Sequence, residues 1–237
     1  MPVYLLSDKL FFPPVHLASQ EGLLAIGGDL SVERLLLAYK SGIFPWYSEE
    51  DPILWWSPDP RLVLYPEELN ISKSLKKVIR QEIYRITMDT AFEQVISACA
   101  NTRRDIDAGT WITDEMKGAY CRMHERGYAH SVEAWHEGKL VGGLYGISLG
   151  LAFFGESMFS IMSNASKVCL VCLVQFMKER HFTFIDCQVA TDHLLRMGAR
   201  SIPRATFISQ LNQSLQHLSI VGSWMNMCSR NFPFGPN

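Results

Sequence analysis

The stretch HSVEAWHEGKLVGGLYGISLGLAFFGESMF, residues 130–159, decides the fold. It holds three runs rich in apolar, aromatic and β-branched residues, separated by short turns at Glu137-Gly138 and Gly150. Strand-forming runs joined by short glycine turns are typical of consecutive antiparallel strands. We therefore expect a meander of three strands, at residues 130–135, 140–148 and 151–159.

The segments on either side of this meander alternate between helix and strand. Behind it, the pattern predicts a helix, a strand and two further helices, at residues 166–180, 183–189, 193–197 and from 203 onward. Ahead of it, the pattern predicts a strand and three helices, at residues 61–65, 72–82, 90–100 and 112–127. Antiparallel strands followed by helix and strand indicate an α+β fold.

The first 60 residues differ from the rest because turn-forming prolines and glycines surround one clear helix. Asp29 or Ser31 can cap that helix at its N-terminus, and Gly42 is placed to end it. An aromatic, proline-rich loop follows. We therefore divide the chain into a small N-terminal α/β lobe, residues 1–60, and a larger domain, residues 61–237.

The overall composition excludes several classes of protein. With 48% hydrophobic residues and a net charge of −2 over 237 residues, the chain is expected to fold and to lack a uniformly basic surface. Its longest apolar run, residues 168–174, is far shorter than the roughly 20 residues that span a bilayer. The N-terminus lacks the features of a signal peptide, so we expect a cytoplasmic protein with reduced cysteines and no membrane partner.

The small net charge conceals three segments of strong local charge. Residues 71–81 carry four basic residues and no acid, and residues 196–237 carry four arginines and no acid. Residues 21–60 carry seven acidic residues against two basic ones. Charge separated in this way suits a protein that binds a polyanion on one side and a cationic partner on another.

A polar pair interrupts the apolar strand at residues 183–189. Alternation along a strand places Asp186 and Gln188 on one face and leaves the apolar residues between and beyond them, Val189 included, for the core. A carboxylate buried beside an amide needs a partner or a purpose. The pair is either a structural hydrogen bond or part of a catalytic site, and the spacing does not choose between them.

A second acidic residue, Glu156, lies on the third strand of the meander among aromatic and apolar neighbours. Burial would raise the pKa of this carboxyl group unless the group is paired. A structural interpretation is a core ion pair with Lys167. The segment Gly155-Glu156-Ser157-Met158 lacks the second glycine of a nucleophile elbow, which argues against a serine hydrolase.

Motifs for metals and nucleotide cofactors are missing from the sequence. Cys169 and Cys172 match a CxxC pattern, but they fall inside an apolar predicted helix, and we interpret them as core residues. The histidines lack metal-ligand spacing, and neither a P-loop nor a dinucleotide-binding glycine motif occurs. We expect no metal and no cofactor, so a substrate for bond formation would arrive already activated.

Eight motifs occur in order between Gly22 and Phe207. They are LLAIGGDLS (23–31), GIFPWYS (42–48), DPILWWSPDPR (51–61), GTWIT (109–113), GGLYGISLG (142–150), FFGESMFS (153–160), NASK (164–167) and IDCQV (185–189). Together they closely resemble the motifs of the leucyl/phenylalanyl-tRNA–protein transferase family.

The resemblance implies an enzyme that transfers leucine or phenylalanine, and less readily methionine, from aminoacyl-tRNA to proteins that begin with arginine or lysine. The product would be marked for degradation by the N-end rule. The resemblance also implies an acyl-CoA N-acyltransferase-like larger domain with a mixed, largely antiparallel sheet, in a monomer that needs no cofactor. Acyltransferases of that fold bind pyrophosphate through a glycine-rich turn. The matching turn, residues 161–166, has no glycine, which argues against an acyl-CoA donor.

The resemblance further implies catalytic residues. Asp186 would orient Gln188, Gln188 would contact the attacking amine, and Glu156 would hold the α-amine of the donated amino acid. Replacing Asp186 or Gln188 with alanine is expected to slow transfer without affecting folding. The implied donor pocket is apolar and consists of Trp46, Trp111, Leu144, Phe153, Met158, Leu170, Leu173 and Ile185. Leu144 and Leu173 stand where methionine and phenylalanine are common in the family, so the pocket is expected to differ in shape.

Basic residues on the predicted helix at 72–82 match family positions that hold the tRNA acceptor arm. They are Lys73, Lys77 and Arg80, with Lys76 as a neighbour on the same helix. The next basic position of the family is Gln81 in this chain. Contacts of this kind bind the phosphate backbone and carry no sequence information. For the cationic terminus of the acceptor protein, charge alone suggests Glu49, Glu50 and Asp51.

Two other functions fit the sequence less well. An acyltransferase that uses an acyl thioester would need the glycine-rich turn that is missing. A module that binds peptide N-termini through the aromatic loop would leave Glu156, Asp186 and Gln188 unexplained.

Overall fold

The computed structural model describes residues 3–104, 112–225 and 227 of the chain. The strands are β1 (Tyr4–Leu6), β2 (Leu23–Gly27), β3 (Phe44–Pro45), β4 (Leu54–Trp56), β5 (Arg61–Leu64), β6 (Arg85–Met88), β7 (Ala129–His136), β8 (Lys139–Leu149), β9 (Ala152–Ser160), β10 (Phe184–Gln188) and β11 (Arg200–Ile202). The helices are α1 (Val32–Lys40), α2 (Lys73–Arg80), α3 (Phe92–Arg104), α4 (Asp114–Glu125), α5 (Ala165–Glu179), α6 (Asp192–Arg196) and α7 (Arg204–Ser214).

The strands form one sheet of four and one of seven. Their orders are β1-β2-β4-β3 and β11-β5-β10-β9-β8-β7-β6. The predicted meander is confirmed, because β7, β8 and β9 pair antiparallel in sequence. β9 and β10 are parallel, whereas the other pairs of the larger sheet are antiparallel. The expected α+β fold, with a mixed and largely antiparallel sheet in the larger domain, is therefore confirmed.

The parallel pairing between β9 and β10 is short. It joins Ala152–Phe154 to Phe184–Asp186. β9 continues as far as Ser160, so its second half runs on without pairing to β10. The two strand ends separate there, and this separation creates the space for the candidate site.

Several short strands are not predicted by the sequence analysis. β1 to β4, β6 and β11 each span two to five residues. A strand of this length shows little alternation of apolar and polar residues. Its stability comes from a pairing partner elsewhere in the chain, which local sequence does not reveal.

The boundaries of α1 follow the predicted capping residues. The Ser31 hydroxyl accepts a hydrogen bond from the backbone N–H of Arg34 at 3.3 Å, so Ser31 is the N-cap. Asp29 instead accepts from the N–H of Ser31 and from the Arg34 guanidinium. Gly42 follows the helix with φ of +73°, and a Cβ there would clash with Cδ1 of Ile208 and lie 3.0 Å from the Phe207 ring. Both the backbone and the packing of α7 thus require glycine at this position.

Two apolar layers cover the two faces of the larger sheet. One combines the smaller sheet, α1, α3 and α4 with sheet residues such as Tyr145 and Phe154. The other combines α2 and α5 with sheet residues such as Leu144 and Phe153. Strand neighbours thus enter opposite layers. The first layer contains Trp55 and Phe154 alike, so it extends across residue 60, and the division into two domains stays a prediction.

The described residues also bear on three predictions, which concern the cysteine motif, metal binding and membrane insertion. Cys169 and Cys172 are buried on α5, so their interpretation as core residues is confirmed. Within the described ranges, no group of three or more histidines, cysteines or acidic residues is arranged to hold a metal ion. No helix in those ranges is long and apolar enough to cross a membrane.

Candidate active site

A cavity of about 440 Å³ opens where β9 and β10 separate, with α5 along one side. Ligand-binding pockets commonly have volumes of roughly 300–1,000 Å³. Seven of the eight predicted pocket residues line this cavity: Trp46, Leu144, Phe153, Met158, Leu170, Leu173 and Ile185. The eighth, Trp111, lies outside the described residues. Residues from β8, β9, α5, β10 and the β3 region therefore meet around one space.

The walls of the cavity follow from strand and helix periodicity. Leu144 on β8 pairs with Met158 on β9, so both side chains project from the same face of the sheet. Leu170 and Leu173 on α5 are three residues apart and share a helix face toward the cavity. In the sequence these residues resemble ordinary core. They line a cavity because β10 departs from β9 at this level.

Glu156 lies at the polar end of the cavity, on an irregular part of β9. The β8–β9 register shifts between Tyr145 and Gly146, which leaves Glu156 without a cross-strand partner. The residue is only 8% exposed. Burial raises the pKa of Glu156 to about 7, the negative charge of Asp186 adds to the increase, and hydrogen bonds to the carboxyl group oppose it. A carboxyl group in this state can gain or lose a proton near neutral pH.

Two tyrosines from the apolar layer that contains α1 and α4 contact this carboxyl group. Oε1 of Glu156 lies 2.8 Å from the Tyr39 hydroxyl, and Oε2 lies 2.9 Å from the Tyr120 hydroxyl. The predicted ion pair between Glu156 and Lys167 is wrong. The Lys167 ammonium donates instead to Oδ1 of Asn164 at 3.3 Å, at the start of α5.

Gln188 reaches Glu156 because β10 ends in a bulge. Gln188 has φ of +61°, and the β5–β10 register shifts between Asp186 and Gln188. Its side chain lines the cavity, and Nε2 donates to Oε1 of Glu156 at 2.9 Å. The prediction that Asp186 and Gln188 share a strand face is wrong, because alternation ends at the bulge. Val189, predicted as core, is 48% exposed at the cavity rim.

Asp186 lies behind the cavity wall in a buried ion pair with Arg61. The Nε and Nη2 atoms of Arg61 donate to the two carboxylate oxygens at 2.8 and 2.7 Å. The side chains of Arg61 and Asp186 are 1% and 0% exposed. Arg61 also donates to the carbonyl oxygen of Gly42 and lies over the rings of Phe44 and Phe207. A bidentate guanidinium keeps the charged carboxylate in the core.

Asp186 acts on Gln188 through the backbone. Its Oδ1 accepts a hydrogen bond from the N–H of Gln188 at 3.0 Å, which helps to hold the bulge. The sequence analysis missed Arg61. A signal was available, because a carboxylate predicted in the core needs a buried cation, and Arg61 begins the neighbouring predicted strand.

Comparison with known proteins decides the family. A model described as leucyl/phenylalanyl-tRNA protein transferase matches residues 63–212, and a model of the N-terminal domain of the same proteins matches residues 28–59. The chain belongs to this transferase family. The resemblance found in the sequence is thus confirmed, and the chain is an aminoacyltransferase.

Individual relatives agree with the family assignment. The proteins from Desulforapulum autotrophicum and Syntrophobacter fumaroxidans are 56% and 57% identical over 95% and 94% of this chain, and 98% and 96% of their own lengths. The protein from Thermodesulfovibrio yellowstonii is 50% identical over 99% of this chain and 94% of its own length. All three carry the name leucyl/phenylalanyl-tRNA–protein transferase.

The solved structures that this chain is similar to are distant. An aminoglycoside acetyltransferase from a soil metagenomic sample is 17% identical and covers 48% of this chain and 84% of its own, with a TM-score of 0.38. L-PGS from Bacillus licheniformis is 15% identical and covers 75% of this chain and 57% of its own, also with a TM-score of 0.38.

In this family member, α2 presents a basic face. The four predicted residues have spacings of three and four, so they lie on one side of the helix, and they are Lys73, Lys76, Lys77 and Arg80. Leu75 and Ile79 are buried on the other side. Lys76 is half-buried, whereas the other three basic side chains are exposed and form no ion pair with any described residue. The face is therefore available to an anion.

The arginines of the second basic segment, residues 196–237, are less available to bind an anion than the sequence predicts. Arg200 pairs with Glu68, with Nε 2.8 Å from Oε2. Arg204 donates through Nη1 to the carbonyl oxygen of Ser57. Arg230 lies outside the described residues. Among the three described arginines of this segment, two thus have structural partners for their side chains.

The three acidic residues that charge suggests for binding the acceptor terminus follow a cavity residue, Trp46, in the sequence. Glu49, Glu50 and Asp51 are exposed in the loop that follows Trp46, and Trp46 lines the cavity. The Asp51 carboxylate accepts from the N–H of Ser48 at 3.3 Å. Their carboxylates are thus carried by the segment that forms one wall of the cavity.

Proposed function

We propose that the cavity binds the leucyl or phenylalanyl group of an aminoacyl-tRNA, and methionyl less readily, and that the enzyme transfers it to proteins that begin with arginine or lysine. The observation that carries this proposal is an apolar cavity that ends at the 2.9 Å hydrogen bond between Gln188 and Glu156. An apolar side chain can fill such a cavity while its α-amine and ester stay at the polar end. The product is marked for degradation by the N-end rule in the cytoplasm.

The reaction is the aminolysis of an ester. The α-amine of the acceptor protein attacks the carbonyl carbon of the donor, a C–N bond forms, and the bond from that carbon to the ribose oxygen breaks. The amine loses one proton and the departing ribose oxygen gains one, so protons balance. Because an α-amino group has a pKa near ~8, a fraction of it is already nucleophilic at neutral pH. Positioning of the two substrates can therefore supply much of the acceleration.

Three residues provide the polar interactions of the proposed reaction. Gln188 donates through its amide nitrogen to Glu156, which leaves the amide oxygen to accept from the incoming amine. Glu156 holds the α-amine of the donor. Asp186, bound to Arg61, holds the backbone N–H of Gln188 and acts as a positioning residue.

Donor preference depends on the shape of the cavity. Leu144 and Leu173 line it where the family commonly has methionine and phenylalanine. A difference of one methylene group in an apolar pocket changes selectivity by roughly 1–3 kcal/mol. We therefore infer that the leucine-to-phenylalanine preference of this enzyme differs from that of relatives with larger residues at these positions.

The basic face of α2 supports binding of the tRNA phosphate backbone. Its exposed cations, Lys73, Lys77 and Arg80, lack carboxylate partners among the described residues, and Lys76 extends the same face. Backbone contacts do not read sequence, so one enzyme can use tRNAs for different amino acids. We propose a monomer in which the lobe at residues 1–60 supplies Trp46 to the donor pocket and Glu49, Glu50 and Asp51 to the acceptor.

The decisive experiment is incubation of the protein with phenylalanyl-tRNA and a peptide that begins with arginine. Mass spectrometry should detect extension of the peptide by one phenylalanine. Gln188→Ala should lower the rate strongly, whereas Gln213→Ala, an exposed glutamine on α7, is the matched control and should not.

Two outcomes would redirect the interpretation. Binding of the peptide without extension would favour a module that recognises protein N-termini. Absence of extension combined with tight binding of coenzyme A would favour an acyltransferase that uses a thioester donor.

A further inference from the structure

The Glu156 carboxyl group and two tyrosine hydroxyls form a closed ring of short contacts. Tyr39 Oη lies 2.8 Å from Oε1 of Glu156, and Tyr120 Oη lies 2.9 Å from Oε2. The two hydroxyl oxygens lie 2.5 Å from each other. Both tyrosines are 0% exposed, so water does not complete their hydrogen bonding. Each of the three contacts therefore needs its own proton.

The number of protons that the three contacts need bears on whether the Glu156 carboxyl group in the ring is charged. Two tyrosine hydroxyls supply two protons, and an ionised carboxylate supplies none. Three contacts between oxygen atoms at these distances need three protons. With Glu156 ionised, both hydroxyls donate to the carboxylate and the contact between them has no proton. A protonated Glu156 would supply the third proton, with Tyr39 donating to Tyr120, Tyr120 to Oε2, and Oε1 to Tyr39. Oε1 as a hydroxyl oxygen still accepts the hydrogen bond from Gln188.

The surroundings agree with a neutral carboxyl group. Asp186 on β10 is the charged neighbour that acts on Glu156, and its own charge is bound by Arg61 on β5. On the other side, Tyr145 on β8 packs edge-on against Tyr120, with ring centroids 5.7 Å apart. Among the described residues, no lysine, arginine or histidine forms an ion pair with Glu156. Burial raises the pKa of the group in the same direction, whereas hydrogen bonds that the two tyrosines donate to its charged form would lower that pKa, so the tyrosine variants distinguish the two arrangements.

We propose that Tyr39 and Tyr120 are positioning residues that hold Glu156 as a neutral acid before the donor binds, and that the donor's α-ammonium then displaces this proton. The second half rests on the proposed function, because it names the donor. The O–H bond of the carboxyl group breaks, its proton passes to solvent, and the ammonium keeps its three protons and pairs with the new carboxylate. Both tyrosine hydroxyls then donate to that carboxylate, and their contact with each other opens.

The first half is tested without any donor. Protein labelled with ¹³C at the glutamate δ-carbon is titrated by NMR, and Glu156→Gln identifies the resonance. We expect a midpoint near 7. Tyr39→Phe should lower it by about one pH unit, because the contact that demands the third proton is removed. Tyr120→Phe repeats this test from the other side of the ring, and Glu33→Gln, exposed on the same helix as Tyr39, should leave the midpoint unchanged.

Two results would overturn the first half. A Glu156 midpoint below about 5, close to that of an ordinary glutamate, would mean that the carboxyl group is ionised in the ring. A midpoint that rises in both phenylalanine variants would mean that the tyrosines only donate to a carboxylate and do not hold it neutral.

The second half is tested with 3′-phenylalanylamino-3′-deoxyadenosine, whose amide link cannot be transferred. Calorimetry at pH 6 in buffers of different ionisation enthalpy should show release of about 0.9 proton on binding, and none with Glu156→Gln. Binding without proton release would overturn the displacement step and leave the proposed function intact. Absence of binding would overturn the donor pocket itself, while the titration would still decide the state of the ring.

Discussion

Two buried carboxylates lie on neighbouring strands, and the protein stabilises them in opposite ways. Asp186 on β10 accepts two hydrogen bonds from the Arg61 guanidinium, one from Nε and one from Nη2. Glu156 on β9 contacts two tyrosine hydroxyls and one amide. Burial disfavours the charged form of both groups. A cation compensates for this at Asp186, whereas Glu156 has its pKa raised to about 7.

The difference separates two tasks that the family resemblance groups together as catalytic. A carboxylate locked to a guanidinium is a fixed charge that can hold a backbone in place. A carboxyl group that titrates near neutral pH can exchange its proton for a bound ammonium ion. The comparison therefore supports the proposal that Asp186 positions the site and Glu156 contacts the donor, and the following experiments test that division.

The largest effect is expected for Asp186→Ala. The substitution leaves Arg61 buried without its anion, and breaking a buried ion pair in this way costs about 3–5 kcal/mol of stability. Urea denaturation followed by circular dichroism measures the loss. This revises the expectation from sequence that the variant folds normally.

A matched control for Asp186→Ala uses the other buried arginine. Arg34 is 0% exposed, but its partner Asp29 is 50% exposed. Asp29→Ala should therefore cost no more than about 1 kcal/mol. Equal losses for the two variants would contradict the claim that the Arg61 pair depends on burial.

Glu156→Gln should have the next largest effect, on activity. The amide keeps the size of the side chain but cannot carry the negative charge that, in the proposed function, binds the α-ammonium of the donor. Hydrogen bonds to charged groups contribute about 1.5–3 kcal/mol, so kcat/KM for phenylalanyl-tRNA should fall roughly 10–100-fold. Steady-state transfer assays with varied donor measure it. Unchanged kcat/KM would show that Glu156 does not bind the donor.

Glu156 should also influence how stability depends on pH. The folded protein keeps its proton up to about pH 7, whereas an unperturbed glutamate releases it near 4.5. Between these values the folded state binds more protons, so the Glu156 contribution falls as pH rises, by up to about 1.4 kcal/mol per pH unit. Denaturation of the wild type and Glu156→Gln across this range should give a difference that grows in favour of the variant. Parallel curves would contradict the raised pKa.

The smallest effect on stability is expected on α2, where the charges are exposed. Replacing Lys73, Lys77 and Arg80 with glutamine should leave the midpoint of thermal unfolding nearly unchanged. Each lost phosphate contact should reduce the slope of log affinity for aminoacyl-tRNA against log salt by roughly 0.7–0.9. Binding measured over a salt series tests this, and an identical slope in the variant would remove α2 from the tRNA surface.

Much of the fold could be predicted because its signals are local. The meander and α5 are long enough to show periodicity, and Ser31 and Gly42 mark the ends of α1 by their own chemistry. The short strands of the smaller sheet could not be predicted, since pairing with distant segments stabilises them. The same reason explains Arg61, whose role appears only when β5 lies beside β10.

In the candidate site, too, local signals could be predicted from the sequence and distant pairings could not. Apolar residues of the donor pocket could be named from the family motifs, and the described ones meet in one cavity. Tyr39 and Tyr120 could not, because a tyrosine on a helix gives no local sign that it faces a carboxyl group on a strand far along the chain. The shared face of Asp186 and Gln188 was a wrong prediction, because a bulge is set by pairing with a neighbouring strand.

The sequence by itself determined the order of the longer elements, the family and the apolar character of the proposed donor pocket, because these depend on residue type and spacing along the chain. The tertiary structure decided what each polar group does. Whether a buried carboxylate is a fixed anion or a proton-exchanging acid depends on which side chains the fold brings within about 3 Å of it, and that is a property of neighbours in space. Asp186 meets a guanidinium and Glu156 meets two hydroxyl groups, and this contrast separates the support of the site from its chemistry.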